Sequence, residues 1–189
     1  MTADPTAGRN PFLVLLRGIN VGGRNKVPMK ALKGYLEDQG FGEVSTYIAS
    51  GNVLLSSAET AEVIGPRIES ALIDNFDLDD ELIRVLVLNP AQLQVVVEHK
   101  PEMFGEQPEK YHSDAIFLMG VEPEEAMAAF NPREGVDAVW PGEGVIYSQR
   151  LSAERTRSRL GAITASPYYK SMTIRSWNTT TKLWGLLRD

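Results

Sequence analysis

The chain contains no cysteine. Disulfides, thiolate nucleophiles and cysteine-held zinc are therefore excluded. Only two histidines occur, His99 and His112, and they lack the paired spacing of a zinc site. No metal and no cofactor is expected. No apolar run approaches the roughly 18 residues that a membrane span needs, so no membrane partner is expected. The first ten residues have no apolar core of the signal-peptide kind. Residues 1–10 are expected to form a loose, disordered leader, and the protein is expected to be cytoplasmic. The phosphate-loop sequence Gly-Lys-Ser/Thr is missing, as is Gly-x-Gly-x-x-Gly. Asp77–Glu81 lacks the glycine of an EF-hand loop and reads as an acidic turn. His112 and Asp114 lie two apart, but no nucleophile elbow accompanies them.

Acidic residues are missing where it matters most. From Pro5 to Leu36 there is no Asp or Glu, while Arg9, Arg17, Arg24, Lys26, Lys30 and Lys33 are present. From Gly144 to Arg188 the only acid is Glu154, against eight bases. Most of the acids sit between Glu37 and Glu143, so a net charge of −6 averages two basic ends and an acidic middle. The net charge argues against a general nucleic-acid coat. The segregation suggests an anionic partner, or else bases that solvate their own helices. If a partner is the reason, the fold is expected to bring the two basic ends together into one cationic face.

What is present reads as alternating strands and helices. Phe12–Leu16 is a short apolar run suited to a strand buried on both faces. Pro28 falls where a first helical turn tolerates proline, Met29, Leu32 and Leu36 follow at helical spacing, and Gly40 ends the helix. Strands 44–49 and 53–57 flank Ser50-Gly-Asn52, a tight-turn composition. A helix marked by Val63, Ile64, Ile68, Leu72 and Phe76 precedes a strand over 82–88. After a bridging helix and a polar loop the order recurs: strand 115–119, helix 123–130, strands 136–140 and 145–148, helix 152–163, strand 171–175, and a last helix 179–187 capped by Asn178. The expected fold is therefore α+β, two tandem ferredoxin-like β-α-β-β-α-β units with mostly antiparallel sheets and helices on one face. The expected boundaries are 11–89, a linker over 90–111, and 112–189.

Leu16-Arg-Gly-Ile-Asn-Val-Gly-Gly-Arg-Asn-Lys-Val-Pro28 joins the first strand to the first helix. That layout presents backbone N–H groups and a helix N-terminus to an anion. Gly18, Gly22 and Gly23 permit close approach, Asn20 adds an amide, and Arg17, Arg24 and Lys26 supply charge. The competing reading is a connection whose glycines only turn the chain; so much backbone freedom and charge exceeds what a turn requires. Ser50 and Asn52 are polar candidates at the hairpin tip, though a plain turn explains them equally. Arg175, Trp177 and Asn178 form another strand-to-helix cluster. Arg155 and Arg159 would share a helical face, and Tyr168 and Tyr169 would stack on a ring or cover the core edge.

These motifs carry a resemblance. Leu15–Met29, Thr46–Val53, and Thr173–Thr179 with Lys182-Leu183 resemble the bacterial domain of unknown function 1697 family over nearly the whole chain. The resemblance implies a pair of ferredoxin-like units and brings no activity, substrate or catalytic residue. Family members often carry asparagine where this chain has Ser176, so no polar role carries over to that position. The residues themselves favour binding of an anionic, phosphate-bearing small molecule, nucleotide or short RNA, rather than catalysis. The alternatives are an enzyme on an anionic small molecule, with Tyr47, Tyr147 and His112 its mild acid–base candidates, and a self-associating scaffold. The protein is expected as a monomer or homodimer.

Overall fold

The computed structural model describes residues 8–79 and 83–188. The first seven positions of the expected leader, and Leu82 of the expected fourth strand, lie outside the described residues. The chain divides into two compact units. One is built from the chain up to Leu93 together with the last residues from Gly185, the other from Gln94 to Trp184.

In the first unit the order is β1 (Asn10–Arg17), α1 (Met29–Asp38), β2 (Gly42–Tyr47), β3 (Asn52–Ser57), α2 (Ala61–Asn75) and β4 (Arg84–Leu88). The sheet runs β2-β3-β1-β4, and every neighbouring pair is antiparallel. The continuous apolar run fits this topology. β1 is central, and Phe12 through Leu16 are all buried. Alternate residues Phe12, Val14 and Leu16 share one core with Leu32 and Leu36 of α1 and with Ile64, Ile68 and Leu72 of α2. Both helices thus cover the same sheet face, their apolar stripes set by the three- and four-residue spacing.

The second unit begins within α3 (Pro90–Glu98), continues with β5 (Tyr111–Leu118), α4 (Pro123–Met127), β6 (Asp137–Gly142), β7 (Val145–Leu151) and β8 (Met172–Ser176), and ends within α5 (Trp177–Arg188). Its sheet runs β6-β7-β5-β8 and is again wholly antiparallel. The protein is thus α+β with two four-stranded antiparallel sheets. Among the described residues, no helix is long and apolar enough to cross a membrane.

The second unit departs from the sequence-based expectation in three ways. The helix expected over 152–163 is replaced by three short 3-10 turns, Ser152–Arg157, Leu160–Ala165 and Pro167–Ser171. The first of them buries no residue, so no apolar face holds a helix there, and Ser158 is extended, with its hydroxyl accepting from Leu160 N–H. Arg155 and Arg159 therefore do not share a helical face. The helix expected over 123–130 stops at Met127, and Ala129 and Phe130 continue as tight turns. Finally, helical elements lie on both faces of this sheet. Ile116, Ile146 and Met172 pack with Ala126 of α4 and Ile163, whereas Tyr147, next to Ile146 and so on the opposite face, meets Val96 of α3 and Trp177 of α5.

Candidate functional site

The glycine loop folds through repeated left-handed backbone. Gly18, Asn20, Gly22, Gly23 and Asn25 all hold positive φ, between 46° and 86°. Asparagine is among the few non-glycine residues that tolerate this region. A side chain at Gly22 or Gly23 would meet open space, so these two glycines are required by conformation and not by crowding. Each asparagine then braces the loop. The Asn20 amide acts like a peptide group: Nδ2 donates to Val27 O at 2.9 Å while Oδ1 accepts from Val27 N–H at 2.9 Å. The same Nδ2 reaches Ala49 O at 2.9 Å, tying the loop to the β2–β3 connection. Asn25, 1 % exposed, donates through Nδ2 to Gly18 O at 2.6 Å.

Val21, Gly22, Gly23, Arg24 and Lys26 project from this frame and are exposed. Arg17 is half-buried and pairs in register with Arg84 of β4. Helix α1 opens at Met29, with Pro28 in the N-cap position rather than in the first turn, and no side chain caps it. A cavity of about 380 Å³ lies there, lined by Asn20, Gly23, Lys26, Val27, Pro28 and Met29 together with Ala49. One feature was not legible locally: the loop is acid-free in sequence but not in space. Asp79, from the acidic turn, accepts from Asn25 N–H at 3.0 Å. Asp80 and Glu81 of that turn lie outside the described residues.

The hairpin residues divide. Ser50 is exposed, whereas Asn52 is fully buried and donates to Tyr47 O at 2.9 Å and Ser50 Oγ at 3.0 Å, closing the connection from within. Gly51, at φ 77°, brings its backbone against Leu16 and Ile19. Ile48 holds φ 51° while 52 % exposed, a conformation that β-branched residues rarely adopt. Asn20 thus joins the glycine loop to the hairpin that carries Ser50 and Asn52.

In the second unit Arg175 is buried. Its Nη1 donates to Thr173 Oγ1 and to Ile174 O, both at 2.9 Å, and burial lowers its pKa to about 10. Trp177 is buried among aromatic rings, 5.1 Å from Phe104 and 6.2 Å from Tyr147 between centroids. Asn178 does not cap α5. It is exposed inside the first turn, and the cap is Ser176, whose Oγ accepts from Thr179 N–H at 3.2 Å. The position from which no polar role was expected to carry over is therefore the polar one. Ser176→Ala is expected to cost about 1 kcal/mol, read as a fall in melting temperature of about 2–4 °C, while Ser176→Asn stays near wild type. Equal losses in both variants would contradict the cap.

Tyr147, Tyr168 and His112 also sort by environment. Tyr147 donates its hydroxyl to Val96 O at 2.7 Å, and burial pushes its pKa up to about 12, which removes it from proton transfer near neutrality. Tyr168 bonds Glu125 at 3.2 Å, and the charge of that carboxylate raises its pKa. His112 is different. β5 starts at Tyr111, four residues before the expected strand, so His112 and Asp114 share one sheet face, with Nε2 and Oδ2 3.1 Å apart. Burial raises the Asp114 pKa, opposed by His112 and Arg150. The two-residue spacing is the sequence signal for this contact, since alternate residues of a strand share a face. Among the described residues no group of three or more His, Asp or Glu is placed to hold a metal.

Comparison with known proteins follows the motifs. The family described as protein of unknown function DUF1697 matches residues 10–147. The chain belongs to this family. A solved structure similar to it is that of the conserved bacterial protein SP0830 from Streptococcus pneumoniae, with a TM-score of 0.80 and 22 % identity over 95 % of this chain and 99 % of that one. At that identity the likeness speaks for the fold. No curated protein matches the chain.

Proposed function

We propose that the protein binds an anionic, phosphate-bearing ligand, of the nucleotide or short-RNA class, at the glycine loop of its first unit. The observation that carries this reading is the uncapped N-terminus of α1 opening onto a cavity with Lys26 on its wall. The first N–H groups of a helix have no partner within the helix, and with the helix dipole they attract negative charge. Lys26 lines the cavity, and Arg24, exposed next to the lining Gly23, adds a second cation to the loop. Asp79 on Asn25 N–H is an internal precedent, because a loop amide already takes a carboxylate. Val27, Pro28, Met29 and Ala49 give the same cavity an apolar side, which suits the ring or sugar of such a ligand better than a bare ion. In this reading Arg175, Trp177 and Asn178 serve the structure of the second unit. We also read both units as ferredoxin-like, supported by the shared strand order and antiparallel pairing, and take the protein to work in the cytoplasm.

The test is a titration of nucleotides and short RNAs into wild type and a variant carrying both Arg24→Ala and Lys26→Ala. Losing charge-assisted contacts should weaken binding by about tenfold or more, since each tenfold corresponds to about 1.4 kcal/mol. No binding to wild type, or equal binding to both proteins, would remove the reading.

A further inference from the structure

The second unit carries a polar cluster that the glycine-loop reading does not use. On one face of its sheet, Asp137 of β6 stands opposite Arg150 of β7, and Arg150 stands opposite His112 of β5. Directly opposed residues on one face lie within reach of each other's side chains. Asp114 belongs to the same face, held by His112 at 3.1 Å and within the field of Arg150. Arg133 also acts on Asp137: its backbone N–H donates to Asp137 Oδ2 at 2.9 Å and its charge favours the ionised form of that carboxylate. Arg159 N–H donates to the same oxygen at 2.8 Å. Two arginines thus flank one anchored carboxylate.

The hydrogen bonding of this cluster is incomplete in a specific way. Arg133 Nε, Arg150 Nε and Asp137 Oδ1 are buried with no hydrogen-bond partner among the described residues. Folded proteins rarely leave buried polar atoms unmatched, and three in one cluster call for a common cause. Asp137 and Arg150 oppose each other in register, yet these atoms do not satisfy one another. The missing set is two N–H donors and one carboxylate acceptor. A ligand that fits must offer oxygens to the arginines and one O–H to Asp137.

We infer that this cluster is a second binding site, for a protonated phosphate group. Phosphate near neutrality carries acceptor oxygens and a P–OH together, which matches two arginine donors and one carboxylate acceptor. The carboxylates present do not bar it. Asp114 is already partnered by His112 at 3.1 Å and lies in the field of Arg150, and Asp137 Oδ2 already accepts two backbone N–H groups. The Ser158 hydroxyl also bonds the Asp137 carboxylate, which leaves Oδ1 as its unmatched oxygen, and the exposed Arg159 adds a cation on the side of the 3-10 turns. His112, 44 % exposed, meets solvent beside the cluster, so its ring signal reports on binding there.

The chain has two histidines, so His99→Gln, at an exposed position outside the cluster, leaves the His112 ring as a single NMR signal. Inorganic phosphate titrated into this full-length protein at pH 7 should move that signal saturably. Sulfate, which has no O–H to give Asp137, should bind about tenfold or more weakly, because the buried acceptor stays unpaired. Arg150→Gln should abolish the response, and Arg133→Gln should do the same if the first variant does not fold. Arg24→Ala with Lys26→Ala should leave it unchanged, which separates this site from the glycine loop. The inference is overturned by an unmoved His112 signal, by equal binding of sulfate and phosphate, by folded arginine variants that respond like wild type, or by loss of the response in the glycine-loop variant.

Discussion

Replacing Asn20 with alanine is expected to destabilise the protein by about 3–8 kcal/mol. Three losses combine. Val27 is 2 % exposed, so removing the Asn20 amide leaves a buried N–H and a buried C=O unpaired, at about 1–3 kcal/mol each. Ala49 is exposed, and water replaces the bond to its carbonyl. Alanine must also hold φ 54°, which costs roughly 1–2 kcal/mol. Neighbouring variants separate these contributions. Asn20→Asp keeps the acceptor for Val27 N–H and should fall between wild type and alanine. Asn20→Gly accepts the backbone conformation but makes none of the bonds, so it should exceed alanine in stability by about the conformational cost alone. Urea denaturation reads all three. An alanine variant within about 1 kcal/mol of wild type would show that the amide pairing does not hold the loop. The loop's shape is therefore built by asparagines as much as by glycines, and its exposed cations stand on that frame.

How far the sequence announced this depends on the distance over which each interaction acts. β1 was plain because five consecutive apolar residues suit a central strand, and α1 and α2 because their buried leucines and isoleucines keep helical spacing. The glycine loop announced its flexibility through Gly18, Gly22 and Gly23. Nothing local announced that Asn20 would reach across to Ala49, or that Asp79 would bond a loop whose own sequence is free of acids. Those partners lie 29 and 54 residues away. The stretch from Ser152 misled because helix-compatible residues were present without an apolar face, and without packing a short helix does not persist. Asn178 misled because a capping residue type stood one turn start too late. The cap went to Ser176, two residues earlier, at the end of β8. The His112–Asp114 contact was within reach of the sequence, since residues two apart on a strand share a face. Arg150 and Asp137 joined them only through strand pairing, which no single segment reveals.

Gly105→Ala is the other substitution expected to have a large effect, and its cause lies in the aromatic cluster of the second unit. Gly105 holds φ 75°, and a Cβ there would overlap the Trp177 indole. The indole has little room to yield. Its ring sits 5.1 Å from Phe104 and 6.2 Å from Tyr147, and Phe104 in turn lies 5.2 Å from Tyr147 and 6.0 Å from Trp140. Tyr147 is itself fixed by its bond to Val96 O. The left-handed conformation costs an alanine roughly 1–2 kcal/mol. Forcing a methyl into a packed core adds about 1–3 kcal/mol, so a total loss of about 2–5 kcal/mol is expected. Trp177→Ala alone should cost about 3–5 kcal/mol through the cavity it leaves. The two effects should not add. With the indole gone the methyl enters space, and only the conformational cost remains, so the double variant should be more stable than the sum of the single losses implies by about 1–3 kcal/mol. Denaturation of wild type, both single variants and the double variant closes the cycle. Strict additivity would mean that the glycine serves its turn alone. The coupling expected here instead makes Gly105 part of the Trp177 pocket, one glycine whose missing side chain is what lets the start of α5 pack against the sheet.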